Sequence, residues 1–376
     1  MRWGSEASFE EGDPLMSQSA LRVTIPLAGF NRSGGVKTLM LLAGAMVERG
    51  WRVRVLVPDY AADSPFPPDA RLGVERVPTG LGPSVLRMVR FYLRLARAAA
   101  RDTDVCVANF YLTAHAAFLA RLLNRGLRVV YFLQGDEAES HGRLAEAPFL
   151  SRWIRFALAR ASYRLPVPML CVSHWLRRQV RRPDAVVVGQ GIDLNLFRAR
   201  GREHPPVRVA VGTIGAVARA KGYADVVAAL ARFADVSFDL IVAVLDERIA
   251  IPVHLQTERR TASTETDMAA FYAACDIFVF ASHREGFGLP PLEAMASGCA
   301  VVTTDCGGVS DFARHDENCL MVPPGDSAAL AAAIGRLLED GALRRKLAAG
   351  AVRTAASWPR ERMTTAFMER VAEIAC

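Results

Sequence analysis

The stretch "EGFGLPPLEAMASG", residues 285–298, sets Glu285 and Glu293 eight positions apart around two glycines and two prolines. Upstream, "DIFVFAS" supplies a strand and "HREGFG" a loop, and Pro290 and Pro291 pre-set φ for the first turn of a helix that Gly298 closes. Unpaired N–H groups and the positive end of the dipole collect at such a helix start, so Gly286, Phe287, Gly288 and Leu289 predict a site for an anion such as phosphate. Two carboxylates would repel a phosphate unless they face neutral, hydroxyl-rich parts of the same ligand, where an acceptor-only group takes two O–H bonds from a vicinal diol. Glu293 falls where dinucleotide folds place the acid that holds a ribose, and Glu285, on the loop, reaches a sugar beyond the phosphates. The ligand implied is a sugar nucleotide. The plainer alternative is that both acids favour the helix dipole, worth about 0.3–1 kcal/mol each.

A departing diphosphate needs positive charge, and "GTIGAVARAKGY" offers Arg219 as a fork and Lys221 as a point charge between a strand and a helix. The alternative is a pair of solvated loop cations. In "AGFNRSGGVKT", Gly29 and Gly34 have the spacing of a Walker A loop, but Gly35 stands where that loop requires its Lys, which excludes a P-loop. Gly34 and Gly35 instead let backbone approach a diphosphate or sugar, or form a tight turn before a helix. Asp136 and Glu137, after the strand "RVVYFL", either orient or deprotonate an acceptor hydroxyl or are solvated loop acids. Asn109 and Tyr111 follow another strand and are candidates for the acceptor side; His115, in "LTAHAAFLA", reads as a packed helix residue. Asp102 and Asp104 form a D-x-D, but they precede the strand "VCVANF" instead of following one, so they are read as solvated residues and no metal site is expected.

The elements that must position these residues alternate. "LRVTIPLA", "WRVRVLVP", "VCVANF", "RVVYFLQG", "MLCVS" and "AVVVGQG" read as strands, with helical spacing in "VKTLMLLAGAMVERG" and "LTAHAAFLARLLNRG" between them. After the polar link "RARGREHPP" the rhythm restarts with "VRVAVGTIG", a helix from about Tyr223 to Phe233, "FDLIVAVL", "FYAACDIFVFAS", "CAVVTTD" and "NCLMVPP". Three helical segments close the chain, the first capped by Asp326. Alternation of this kind predicts an α/β protein of two Rossmann-like doubly wound parallel-sheet domains facing across a cleft. The expected divisions are a disordered tail at 1–20, an acceptor-side domain at 21–198, a linker at 199–206, a nucleotide-sugar-binding domain at 207–355, and a helix at 356–376 packing back toward the first domain.

The run "SHREGFGLPPLEAMASGCAVVTTDCGGVSDF" resembles the Glu-x7-Glu signature of the family 4 retaining glycosyltransferases, which have the GT-B fold. "GFNRSGGVKT" resembles that family's glycine loop, "GQGIDLNLF" its interdomain strand exit and "SWPRERMTTAFMERV" its closing helix. The resemblance implies a nucleotide-sugar donor as co-substrate, retention at the anomeric carbon, and neither cofactor nor obligatory metal. It places Glu285 on donor-sugar hydroxyls, Glu293 on the ribose diol, and Gly286 to Leu289 on sugar and phosphates through backbone. Two departures stand out. Where the family often has a sugar-contacting His this chain has Gln134, which hydrogen-bonds a hydroxyl but takes no proton, and one residue separates Arg219 from Lys221 where many members have five or six positions.

Composition narrows the setting. The chain has 376 residues, 51% hydrophobic and 23% charged, enough for two sizeable cores. The first twenty residues lack an apolar core of the signal-peptide kind, and no run of eighteen uncharged apolar residues occurs. Seven cysteines without C-x2-C spacing fit neither a disulfide framework nor zinc, so a reducing cytoplasm is expected. Residues 21–200 carry 27 Lys plus Arg against 13 Asp plus Glu (+14), while residues 201–376 carry 18 against 22 (−4). Arg87, Arg90, Arg94, Arg97 and Arg101 share one helical face, which either docks on anionic lipid at about 1 kcal/mol per basic residue or is simply solvated. Nucleic acid is not expected, because no recognition motif accompanies the charge. The reading is a cytoplasmic enzyme, peripheral on the inner membrane face, that moves a hexosyl or deoxyhexosyl group to a glycan or lipid-linked acceptor for cell-surface polysaccharide or glycoconjugate synthesis. The rivals are a GT-B-fold epimerase or hydrolase and a non-catalytic nucleotide-sugar-binding membrane scaffold.

Overall fold

A computed structural model describes residues 20–30, 33–61, 71–81, 84–143, 148–199, 208–233, 238–244, 249 and 257–376. The expected tail, apart from its last residue, and the expected linker, apart from its first, lie outside these residues, as do Asn31 and Arg32 of the glycine loop.

Seven strands build the first sheet: β1 (Arg22–Pro26), β2 (Arg52–Pro58), β3 (Gly73–Val77), β4 (Val105–Ala108), β5 (Arg128–Leu133), β6 (Met169–Cys171) and β7 (Val186–Val187), in the order β3-β2-β1-β4-β5-β6-β7. Six build the second: β8 (Val209–Gly215), β9 (Phe238–Val244), β10 (Thr257–Thr261), β11 (Ile277–Phe280), β12 (Ala300–Thr304) and β13 (Leu320–Val322), in the order β10-β9-β8-β11-β12-β13. The pairs β3-β2, β2-β1, β1-β4, β5-β6 and β6-β7 of the first sheet and all neighbouring pairs of the second are parallel. Helices connect the strands: α1 (Gly34–Glu48), α2 (Ser84–Ala99), α3 (Tyr111–Leu123), α4 (Phe149–Ser162) and α5 (His174–Val180) in the first half, then α6 (Tyr223–Leu230), α7 (Glu265–Ala274), α8 (Leu289–Ala296), α9 (Ser327–Glu339), α10 (Gly341–Ala355) and α11 (Arg360–Ala375). Parallel strands require such crossovers, which cover the sheet faces and leave central strands apolar on both sides. That is why β11 ("IFVF") is buried at every position, as is β12 ("AVVTT"). The result is two parallel-sheet Rossmann-like folds.

The helix expected from Tyr223 to Phe233 ends at Leu230 and finishes as a 3-10 turn over Ala231–Phe233. Asp326 caps α9 as its spacing predicts, accepting from the N–H groups of Ala328 and Ala329. By contact the chain divides into two compact units, Met1–Ala108 with Ala116–Val129 and Val371–Cys376, and Asn109–His115 with Val130–Arg370. The second unit therefore contains β6 and β7 as well as the whole second sheet. Its core under that sheet joins Val211, Leu240, Val242, Ile277, Val279 and Val302 to Leu230, Ile334 and Leu337 of the helices. In the same unit Phe367 of α11 meets Phe132 of β5 edge to face, with ring centroids 4.9 Å apart. Residues 189–193 and 358–360 meet there too: the Ile192 and Arg360 N–H groups bond the Trp358 and Ile192 carbonyls.

Candidate functional site

The second sheet reverses direction between β8 and β11: from β8 the chain proceeds to β9, and from β11 to β12 on the other side. The loops leaving the carboxyl ends of those two strands must part, which opens a ligand site in folds of this kind. One loop ends in a 3-10 turn, Arg219–Lys221, and the other runs from Ala281 to Gly288, the N-cap of α8. They are fastened to each other. The His283 N–H donates to the Ala220 carbonyl at 2.8 Å, and Gly222 adopts φ +67° so close to Ala281 that a Cβ would lie 1.9 Å from its carbonyl oxygen.

This fastening brings Lys221 to Glu285, with Nζ 2.8 Å from Oε1. Ser282 Oγ donates to the same oxygen at 2.7 Å. Backbone fixes the residue from below, since the Glu285 N–H donates to the Cys306 carbonyl at 2.7 Å and the Gly308 N–H to the Glu285 carbonyl at 3.0 Å. Lys221 is half exposed (49%) and Glu285 mostly covered (16%), and the second carboxylate oxygen, Oε2, meets no protein donor among the described residues. Arg219 is exposed. A 3-10 turn advances about 120° per residue, so side chains two apart diverge by about 120°, and Lys221 reaches Glu285 while Arg219 faces solvent.

Beyond Glu285, the N–H groups of Gly286, Phe287 and Gly288 donate to no protein acceptor among the described residues. Gly288 has φ +99°, and Pro290 and Pro291 follow in the first turn of α8. Gly286 is pressed between backbones: a Cβ there would lie 2.0 Å from the Gln134 carbonyl oxygen, and Ser173 Oγ donates to the Gly286 carbonyl at 2.6 Å. Gln134 thus meets the Glu285 loop through its main chain. Glu293 lies one residue past the first turn, buried, and its Oε2 accepts from Tyr272 Oη at 3.0 Å. Gly34 and Gly35 open α1 in the first unit.

Asp136 and Glu137 are buried, which corrects the reading of them as solvated acids. Glu137 Oε2 accepts from the Tyr111 N–H at 2.6 Å and from Tyr131 Oη at 2.8 Å, and burial still raises its carboxyl to about 8. Asp136 accepts from Tyr163 Oη at 3.3 Å and from Arg284 Nη2 at 2.6 Å. Interior partners therefore hold both acids. Tyr111 is buried beside them, and the Asn109 N–H donates to Thr113 Oγ1 at 3.3 Å. His115 packs as expected, with Nε2 3.0 Å from the Leu158 carbonyl.

Arg284 is the residue that sequence reading missed. Besides Asp136 it meets Gln179 Oε1 at 3.3 Å and lies over the Trp175 ring, 4.8 Å from the centroid. Asp311 holds the start of that helix through the His174 N–H at 2.8 Å. The signal was position alone: Arg284 directly precedes Glu285, but its partners are about 100 to 150 residues away in sequence. Asp104 pairs with Arg22 at 2.6 Å where β1 begins, and among the described residues no group of three His, Cys, Asp or Glu is placed to hold a metal.

Two family models match this chain. The family described as Glycosyltransferase Family 4 matches residues 32–196, and the one described as Glycosyl transferases group 1 matches residues 206–340. Among curated relatives, the lipopolysaccharide core biosynthesis glycosyltransferase LpsE of Rhizobium meliloti (strain 1021) is 33% identical over 168 residues, 43% of this chain. The match spans about half of that relative, 49% of its length. Among solved structures, a sucrose-phosphate synthase from Thermosynechococcus elongatus superposes with a TM-score of 0.78 at 19% identity, covering 94% of this chain and 99% of that one. HepE from Anabaena, in complex with UDP-glucose, superposes with a TM-score of 0.72 at 18% identity, covering 94% and 100%.

Proposed function

This chain belongs to glycosyltransferase family 4, with the GT-B architecture, and from that premise we propose that it transfers a sugar, with retention, from a nucleotide-sugar donor to a glycan or lipid-linked acceptor in surface polysaccharide or glycoconjugate synthesis. One observation carries the reading: the Lys221–Glu285 pair stands beside the unpartnered N–H groups of Gly286, Phe287 and Gly288 at the point where the sheet reverses. In this assignment the three amides, Lys221 and Arg219 neutralise the donor diphosphate as it departs. Glu285 grips donor-sugar hydroxyls through Oε2 and Glu293 takes the ribose diol. Gly34 and Gly35 contact the donor through backbone. Stabilising charge that develops on the leaving group is the largest lever such a site has, and it acts most strongly where the donors are fixed beforehand. The acceptor attacks from the leaving-group face, with no carboxylate serving as nucleophile.

Asp136 and Glu137 are assigned to positioning the Gln134–Gly135 turn against Gly286, and Asn109 and Tyr111 to the acceptor side. HepE, bound to UDP-glucose, supports a nucleotide-sugar donor, and LpsE supports a glycan acceptor. The arginine face of α2 supports a membrane-borne acceptor: Arg87, Arg90, Arg97 and Arg101 are exposed, and Arg94 is partly so. No helix among the described residues is long and apolar enough to cross a membrane.

The deciding experiment measures nucleotide release from a panel of nucleotide sugars with and without a lipid-linked oligosaccharide acceptor. Release that requires the acceptor, with the sugar recovered on it in unchanged anomeric configuration, is the expected result. Release at the same rate without acceptor identifies a hydrolase, conversion of the nucleotide sugar to its stereoisomer identifies an epimerase, and binding that leaves the donor unchanged identifies a scaffold.

A further inference from the structure

Arg284 separates His283 from Glu285 in the loop that leaves β11, and sugar transfer as assigned above gives it no part. Glu285 forms a β-bridge with Gly307, so the backbone there is extended and successive side chains leave on opposite sides. Glu285 turns to Lys221 and Ser282, and Arg284 turns the other way. Its Nη2 lies 2.6 Å from Asp136 Oδ2 and 3.3 Å from Gln179 Oε1, and its guanidinium covers the Trp175 indole, 4.8 Å from the centroid.

The principal partners are themselves fixed. Asp136 is buried, and its other oxygen accepts from Tyr163 Oη at 3.3 Å and from the Glu139 N–H at 3.4 Å. Trp175 lies against the main chain that bridges Glu285: a Cβ on Gly307 would fall 2.7 Å from the indole, and Asp311 accepts from the His174 and Trp175 N–H groups at 2.8 and 3.4 Å. The loop, in contrast, holds its shape without Arg284, because Ser173, Lys221, Ser282 and the Cys306 and Gly308 main chain grip Glu285 and Gly286 independently. Nor is the guanidinium placed for greatest stability: its Nε is buried and meets no acceptor among the described residues, which costs free energy. A short, charge-assisted contact with one fixed carboxylate is directional, and what it sets here is the spacing between the 134–136 turn and the 284–286 loop.

We propose that Arg284 is a positioning residue for sugar transfer, which holds the Gln134 turn against the Glu285 loop so that Gln134 and Glu285 meet one donor sugar in the geometry from which the leaving group departs. The assignment rests on the donor reading of those two residues. Arg284 acts through them and touches neither donor nor acceptor. A misplacement of about 1 Å in such an arrangement costs about 10²-fold in rate. The contacts assigned to the diphosphate, from Lys221, Arg219 and the loop amides, are made without Arg284. Removing it should therefore slow the transfer step and leave donor binding nearly intact.

Initial rates of transfer by the full chain, with donor varied at saturating acceptor, test this beside a thermal melt and the stabilisation given by nucleoside diphosphate. Arg284→Gln should lower kcat by about tenfold or more while donor KM and the diphosphate-induced stabilisation stay within about threefold of the wild type. Arg284→Lys keeps the charge but loses the fork and the flat face that lies on Trp175, so it should recover part of the rate. Arg284→Gln and Asp136→Asn each strip one partner from a largely buried pair and should melt lower. The double variant removes both charges and should melt closer to the wild type while kcat stays low. That split separates positioning from a structural role, in which rate would return with stability. The proposal is overturned if kcat of Arg284→Gln stays within about twofold of the wild type, or if rate follows melting temperature across the variants. A raised donor KM at unchanged kcat overturns it as well, because Arg284 would then serve ground-state binding. Wild-type turnover in Glu285→Gln fails the donor reading and this assignment with it, whereas a slow Glu285→Gln beside an unimpaired Arg284→Gln fails the assignment alone.

Discussion

The Lys221–Glu285 pair is where local charge and proposed function meet. Because Lys221 is half exposed, the pair contributes little stability, about 0–1 kcal/mol. Glu285→Gln and Lys221→Ala should therefore melt within a few degrees of the wild type while transfer falls by about 10²-fold or more, the usual cost of removing a fixed transition-state contact. Initial rates at saturating donor, read beside a thermal melt, check both halves, and wild-type turnover in either variant removes that residue from the mechanism. Glu137 gives a second prediction. Its carboxyl rises to about 8 in the folded protein because burial outweighs its two donors, whereas an unfolded Glu titrates near about 4.3. The folded state holds this proton more tightly, so the contribution is complete below the unfolded value and is lost as pH climbs to about 8. Glu137→Gln should flatten that part of the stability profile, and an unchanged slope would show that another group sets it.

At the scale of elements, the site depends on backbones that approach more closely than any side chain permits. Gly222 combines φ +67° with a Cβ position 1.9 Å from the Ala281 carbonyl oxygen, a main-chain atom that cannot step aside without moving β11's exit. Gly222→Ala should cost more than about 2 kcal/mol in urea titration, above the middle of the range for single substitutions. Gly44, half-buried on α1 with nothing within 4 Å of its Cβ position, supplies the control: Gly44→Ala should stabilise slightly. A cost for Gly222→Ala no larger than an ordinary surface change would mean that the two loops are less tightly fastened than their geometry indicates. The α5 turn carrying Trp175, the Asp136 turn and the Glu285 loop likewise converge on Arg284, so its guanidinium ties together three segments remote in sequence.

For the whole molecule, the relevant quantity is linkage between folding and the donor. A ligand that binds only the folded state adds stability by mass action, about 2.7 kcal/mol at one hundred times its dissociation constant. The correct nucleotide sugar should raise the melting temperature in proportion to the logarithm of its concentration, and EDTA should not reduce that gain, since the proposed charge partners are Lys221, Arg219 and main-chain amides. A shift that disappears with EDTA would instead bring a metal into the donor site. Free nucleoside diphosphate should reproduce much of the shift if the diphosphate is the principal contact.

The sequence by itself determined the parallel-sheet class, the doubling of the architecture and the loop holding Glu285. Strands buried on both faces must be continuously apolar, as in "DIFVFAS" and "CAVVTTD", and a helix start must be written in Gly and Pro. It did not disclose β3 ("GVERV") or β10 ("TERRT"), because strands at a sheet edge carry charge and lose the apolar signal that marks central ones. Only the tertiary structure decided which acids are buried, that Lys221 turns to Glu285 while Arg219 does not, and that Arg284 binds Asp136. Those outcomes depend on distances between segments up to 148 positions apart, and neither residue type nor spacing encodes a distance that the fold alone creates.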